Sequence, residues 1–180
     1  MDHSKEHSWQ TLVIVRYEKM KPTIIAIDPG ASGGFAVCEN GKVYTLKMPA
    51  TRGDIRTELA FIQLRASKEG NECVAVIEEI VKFAGVKLAY PQGVAYGRNF
   101  GFIEGILSAF GIRLESVRAQ QWQKDLGLGI SRGLGKTVWK NKLKSKAQEL
   151  YPALNGEITL KTADALLILE WYLRKNRGPQ

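Results

Sequence analysis

Two short apolar runs constrain this chain most. Cys73 to Ile77 is continuously apolar and leads straight into Glu78-Glu79. A run of that kind suits a strand buried on both faces of a sheet. Thr23 to Ile27 is a second apolar run, rich in β-branched residues, and it ends in Asp28-Pro29-Gly30. Pro and Gly stop a strand, and an acid at its last position stands where chemistry is often built.

The remaining signals fill in a sheet around these runs. Gly33 to Cys38 and Lys42 to Lys47 read as strands, joined by Asn40-Gly41, the strongest short hairpin signal. Residues 53 to 67 carry Ile55, Leu59, Ile62 and Leu64 at roughly helical spacing. Residues 92 to 110 read as a helix, Ile112 to Val117 as a strand, and a loop rich in Gly and Lys follows. A basic helix near 138 to 150 and a last helix from Thr162 to Lys175 complete the order β-β-β-α-β-α-β-α-α. A hairpin followed by crossovers predicts an α/β fold, a mixed five-stranded sheet flanked by helices. Residues 1–19 are set aside as an extension or tag, and 20–180 are read as the folded domain.

Composition narrows the function. With 180 residues the chain is long enough for one domain with a sizeable core. Lys plus Arg number 26 and Asp plus Glu 18, a surplus of 26 − 18 = +8, with a pI near 9.5. Such a surplus points to an anionic partner, nucleic acid first, although a soluble protein can simply be basic. Cys38 and Cys73 cannot supply a disulfide framework or a four-ligand zinc site. Both stand in apolar runs and read as buried thiols of a reducing compartment, cytoplasmic or, failing that, organellar. The two histidines, His3 and His7, are both near the N-terminus, which argues against His-based chemistry. No stretch approaches the roughly 20 apolar residues of a membrane span. No signal-peptide pattern is present either.

Three acids stand at element ends. Asp28 and Glu78 each close a strand, and Asp164 lies in the first turn of the last helix, after Thr162 as its expected cap. Carboxylates gathered at one sheet edge repel one another, and a divalent cation relieves this. Oxygen donors alone select magnesium, with manganese as a substitute. Two such ions about 4 Å apart would serve phosphodiester cleavage. Singly, each acid has a plainer reading: Asp28 as a turn residue, Glu78 as a solvated strand-end charge, Asp164 as a complement to the helix dipole. Together, in a basic chain without usable His or Cys, they read as a metal site. Adjacent strand residues face opposite ways, so only one of Glu78 and Glu79 can join it, and periodicity does not say which.

These residues resemble a known family. Ile24-Ile25-Ala26-Ile27-Asp28-Pro29-Gly30, Val76-Ile77-Glu78-Glu79-Ile80 and Ala163-Asp164-Ala165-Leu166 are similar, in order and spacing, to the acidic motifs of RuvC-type Holliday-junction resolvases. Gly97-Arg98-Asn99-Phe100-Gly101, Gln121-Trp122-Gln123-Lys124 and Leu150-Tyr151-Pro152 look closest to the phage and chloroplast branches. The resemblance covers about residues 20 to 175. It implies a ribonuclease H-like fold, a homodimer, and magnesium-dependent paired nicking of four-way DNA junctions, with Asp28, Glu78 and Asp164 as catalytic metal ligands. It also allows Phe83 to wedge or stack at the junction centre, with a core aromatic as the competing reading, and places Gly97, Gly101 and Gly105 at a dimer interface. For the glycines, tight packing on the chain's own sheet competes with that reading. One departure stands out. The family's further acid, three residues before the helix Asp, is Lys161 here, which we expect to position water or phosphate.

Basic residues cluster between these motifs. Arg132, Lys136, Lys140, Lys142, Lys144 and Lys146 fall in one stretch without an acid, with spacings of four that put them on a helix surface. Beside an acidic site such a run reads as a DNA-binding face, since phosphate contacts dominate DNA affinity. Gly133-Leu134-Gly135-Lys136-Thr137 misses a phosphate-binding loop, because Ile130 stands where the first glycine belongs. Trp122 and Trp139 read as packing residues. The alternatives are a ribonuclease H-like nuclease acting on RNA or an RNA–DNA hybrid, and a non-catalytic junction-binding protein.

Overall fold

The structure is a computed structural model that describes residues 21–79, 90–129, 131 and 133–176. Phe83 and Arg132 lie outside the described residues, as do residues 1–20. The elements run β1 (Thr23–Asp28), β2 (Gly34–Glu39), β3 (Lys42–Lys47), α1 (Arg52–Lys68), β4 (Cys73–Glu78), α2 (Tyr90–Ala109), β5 (Arg113–Val117), α3 (Ala119–Asp125), α4 (Lys136–Leu150) and α5 (Ala163–Asn176). A single 3₁₀ turn, Pro152–Leu154, links α4 to α5.

The five strands form one mixed sheet in the order β3-β2-β1-β4-β5. β1, β2 and β3 are antiparallel neighbours, and β4 and β5 join β1 in parallel. The predicted hairpin is present: Asn40 at φ 51° and Gly41 at φ 77° make the left-handed turn that suits a two-residue loop.

Strand alternation divides the core into two layers. Ile25, Ile27, Phe35, Val37, Ala75 and Ile77 pack under Ile55, Leu59 and Ile62 of α1 and Ile103 and Leu107 of α2. Ile24, Ala26, Ala36, Val74 and Val76 pack on the other face with α3, α4 and α5. Thr51 starts α1 by accepting the Asp54 amide at 3.1 Å while its hydroxyl donates to the Asp54 carboxylate at 2.7 Å. Every residue of α5 from Ala163 to Tyr172 is buried. A helix apolar all round must be enclosed, and this one lies against β1 and β2 with α4 over it. Two of its polar side chains towards the C-terminal end are bonded: Trp171 donates to Asp125 at 2.8 Å, and Glu170 accepts from Tyr151 at 2.7 Å.

Four expectations change. α3 falls where the sequence reads as loop, because a seven-residue helix with no side-chain cap leaves little periodicity. What holds it is Trp122, fully buried against α5. Cys38 and Cys73 are only half-buried, paired in the sheet with Ile24 and Thr23. Thr162 does not cap α5, since its hydroxyl accepts the Thr159 amide at 3.0 Å. Gly97, Gly101 and Gly105 do not pack on the chain's own sheet. They are exposed, and a Cβ at any of them would meet nothing within 4 Å among the described residues.

Candidate metal centre

The same alternation that divides the core also builds the site. Asp28 continues the Ile24–Ala26 side of β1, and Glu78 continues the Val74–Val76 side of β4. Both therefore emerge on the face covered by α5. β1 and β4 are parallel and in register through Ile27 and Ile77, so the two acids end side by side. Glu79 turns the other way, to Arg118 at 3.3 Å. Burial on both faces of β4 hides this choice from periodicity, and the register makes it. α5 begins above the same sheet edge and brings Asp164. One carboxylate oxygen from each of Asp28, Glu78 and Asp164 lies within 4.8 Å of the other two.

The surrounding backbone fits closely around Asp28. The Gly30 amide donates to its Oδ1 at 3.1 Å. A Cβ on Gly33 would lie 2.6 Å from the Asp28 Cγ, nearer than real carbons come, so this position admits only glycine. From α2, Asn99 donates its side-chain amide to the Pro29 carbonyl at 2.6 Å. The Tyr96 ring stands near Gly30, and its phenol is pushed up by burial and by the Glu78 and Asp28 carboxylates. From sequence Tyr96 carries no assigned role, and Asn99 enters only within the Gly97-Arg98-Asn99-Phe100-Gly101 stretch. Helical spacing contains the signal, because residues 96, 99, 103 and 107 share the face that buries Ile103 and Leu107.

The electrostatics are those of crowded, desolvated acids. Burial pushes the Glu78 carboxyl up to about 8, and Asp28 and Asp164 add to the shift. Asp28 is raised too, by burial first and then by Asp164, against the opposing pull of the Gly30 amide and Lys140. Among the described residues, buried Asp164 Oδ1 has no hydrogen-bond partner. An orphaned anionic oxygen inside a set of three carboxylates is what a hard divalent cation would satisfy, so the donor set fits such an ion.

One cation of the chain is already present. Lys140 reaches from α4 to Asp164 Oδ2 at 2.6 Å. Burial alone would lower its ammonium, but Asp164, with Asp28 and Glu78 beyond, holds it above its usual value. The helix explains the reach. Trp139, Leu143 and Ala147 are the buried stripe of α4, and Lys140 flanks that stripe on the side of the acids. Lys140 therefore belongs to the site as well as to the basic run in which the sequence placed it. Of the others, Lys142 lies over the Trp139 ring at 5.6 Å and Lys146 pairs with Glu149 at 2.6 Å. Lys136 is exposed, and Lys144 partly so. Lys161 is exposed in the turn before α5, its amide on Thr159 Oγ1 at 3.2 Å.

No family model and no curated protein matches the sequence. Solved structures do resemble the fold. Thermus thermophilus RuvC in complex with Holliday junction substrate superposes with a TM-score of 0.51 at 12% identity, over 87% of this chain and 97% of that one. A second Thermus thermophilus RuvC structure gives 0.48 at 16% identity, over 85% and 96%. The chain thus has the RuvC, ribonuclease H-like fold, as its motifs led us to expect. Among the described residues no helix is long and apolar enough to cross a membrane.

Proposed function

We propose that this chain, built on the fold of RuvC, is a metal-dependent endonuclease that resolves four-way DNA junctions by paired, symmetric nicks. The observation that carries the reading is the meeting of Asp28, Glu78 and Asp164 from three separate elements, with a buried Asp164 oxygen left without a partner among the described residues. Carboxylates kept this close without other work to do are rare, because each costs desolvation and repels the rest. The substrate class follows the RuvC structure that holds Holliday junction substrate, and the +8 surplus suits it.

In this reading Asp28, Glu78 and Asp164 hold two magnesium ions, with manganese able to substitute. When bound, these supply a more acidic attacking water and charge stabilisation for the departing oxygen. The chain's own residues do the positioning. Gly30 and Gly33 hold the Asp28 carboxylate in place, and Asn99 fixes the turn behind it. Lys161 orients phosphate or water. Lys136, Lys142, Lys144 and Lys146, with Arg132, contact the junction arms, and Phe83 stacks at its centre. Gly97, Gly101 and Gly105 form the contact between two copies, whose two-fold axis matches that of the junction and yields paired cuts.

A nicking assay on mobile and fixed four-way junctions with magnesium tests this. Mapped symmetric cuts, lost in Asp28→Asn and unaccompanied by cleavage of an RNA–DNA hybrid, are expected. Preferential cutting of the hybrid, or junction binding without magnesium-dependent nicks, would overturn the reading. Unchanged rate and magnesium dependence in Lys161→Ala would remove the role given to that residue.

A further inference from the structure

The acidic cluster contains a tethered positive charge. Lys140 Nζ is 2.6 Å from Asp164 Oδ2, and the other two carboxylates lie within reach of its field. The Lys140 side chain is 30% exposed and that of Asp164 only 9%. The ammonium therefore sits at the mouth of the site, on a flexible four-carbon stem, in front of an enclosed carboxylate. The remaining Asp164 oxygen, Oδ1, is buried and has no partner among the described residues. For Asp164 to bind a divalent cation through Oδ1 alongside Asp28 and Glu78, a second positive charge must enter beside the one that Lys140 places on Oδ2. In a desolvated site two cations on the two oxygens of one carboxylate repel strongly.

We infer that Lys140 is a built-in counter-cation: it occupies Asp164 in the metal-free protein, competes with the divalent cation for that carboxylate, and swings outward when the cation is bound. The inference rests on the metal-dependent reading above and deepens it. Lys140 holds the three acids together before metal arrives, and the same contact weakens metal binding. Linkage makes the two effects reciprocal: whatever the metal costs the Lys140 contact, Lys140 costs the metal. A lysine that merely oriented Asp164 for the metal would have the opposite effect on affinity.

The experiment is manganese binding to the full chain, followed by calorimetry and by the loss of the free-ion electron paramagnetic resonance signal. Lys140→Met keeps the stem and removes the charge. Lys140→Gln keeps a hydrogen-bond donor and also removes the charge, so it serves if the methionine variant does not fold. Circular dichroism checks both. The neutral variants are expected to bind manganese roughly tenfold more tightly than the parent chain, a typical linkage magnitude. Their thermal midpoint should fall without metal and rise further on adding it than that of the parent. Equal or weaker binding by a folded neutral variant overturns the inference, provided that the parent binds manganese and Glu78→Gln abolishes it. No manganese binding by the parent or by either Lys140 variant overturns the metal-site reading and this inference together.

Discussion

At the scale of single residues, three buried carboxylates share a small space with one ammonium, and in the proposed function with metal. Glu78 is the member whose titration falls in an accessible range, raised to about 8 by burial and by its acidic neighbours. The sign follows from linkage. A carboxyl with a raised folded-state value binds its proton more tightly when folded than when unfolded, so the metal-free protein loses stability as pH rises from about 4.5 towards 8. Metal supplies the missing counter-charge, and protons compete with it. We therefore expect denaturant unfolding without metal to show falling stability between about pH 5 and 8, with magnesium offsetting the loss most at the alkaline end. Glu78→Gln should flatten the profile. A metal-free profile rising with pH across that window would contradict this account.

At the scale of elements, α2 has two separate jobs on two faces. One face buries Ile103 and Leu107 and presents Asn99 and Tyr96 to the Asp28 turn. The other displays Gly97, Gly101 and Gly105 with nothing above them among the described residues. Glycine in an exposed helix interior costs roughly 0.5–1 kcal/mol relative to a better helix former, and its open surroundings would accept a side chain. A gap of that kind makes sense if another backbone must approach. Gly101→Leu is thus expected to raise monomer stability by about 0.5–1 kcal/mol, the propensity difference, while shifting sedimentation from dimer towards monomer. If the parent chain sediments as a monomer at all concentrations, or the variant dimerises unchanged, the glycines have another explanation. The hairpin was legible locally from Asn40-Gly41, and α1 from the apolar spacing of Ile55, Leu59, Ile62 and Leu64. α3 was not, because only its burial of Trp122 against α5 makes it a helix.

At the scale of the whole molecule, charge is sorted rather than spread. Three of the 18 acids converge at one sheet edge, and α4, with Lys136, Lys140, Lys142, Lys144 and Lys146, runs beside them. Junction affinity should accordingly fall steeply with salt. Each phosphate contact contributes a slope of about −0.9 in log K against log salt, so Lys136→Ala and Lys144→Ala should each reduce the slope by about one. Junction binding measured across salt concentrations checks this, and a flat dependence would remove α4 from the DNA face. Lys140→Met should change the slope less than these two, since its ammonium is engaged with Asp164.

The sequence by itself determined the sheet, its buried strands and the three acids at element ends. Those signals are local: an apolar run, a turn dipeptide, an acid beside a helix start. It could not choose Glu78 over Glu79, place Tyr96 and Asn99 behind the Asp28 turn, or separate Lys140 from the lysines around it. Each of these depends on which face of an element meets which neighbour. Parallel register between β1 and β4 selects Glu78, and the packing of Trp139, Leu143 and Ala147 on α5 aims Lys140 at Asp164. The chain alone lists the charges, and only tertiary structure decides which of them share a space small enough to interact.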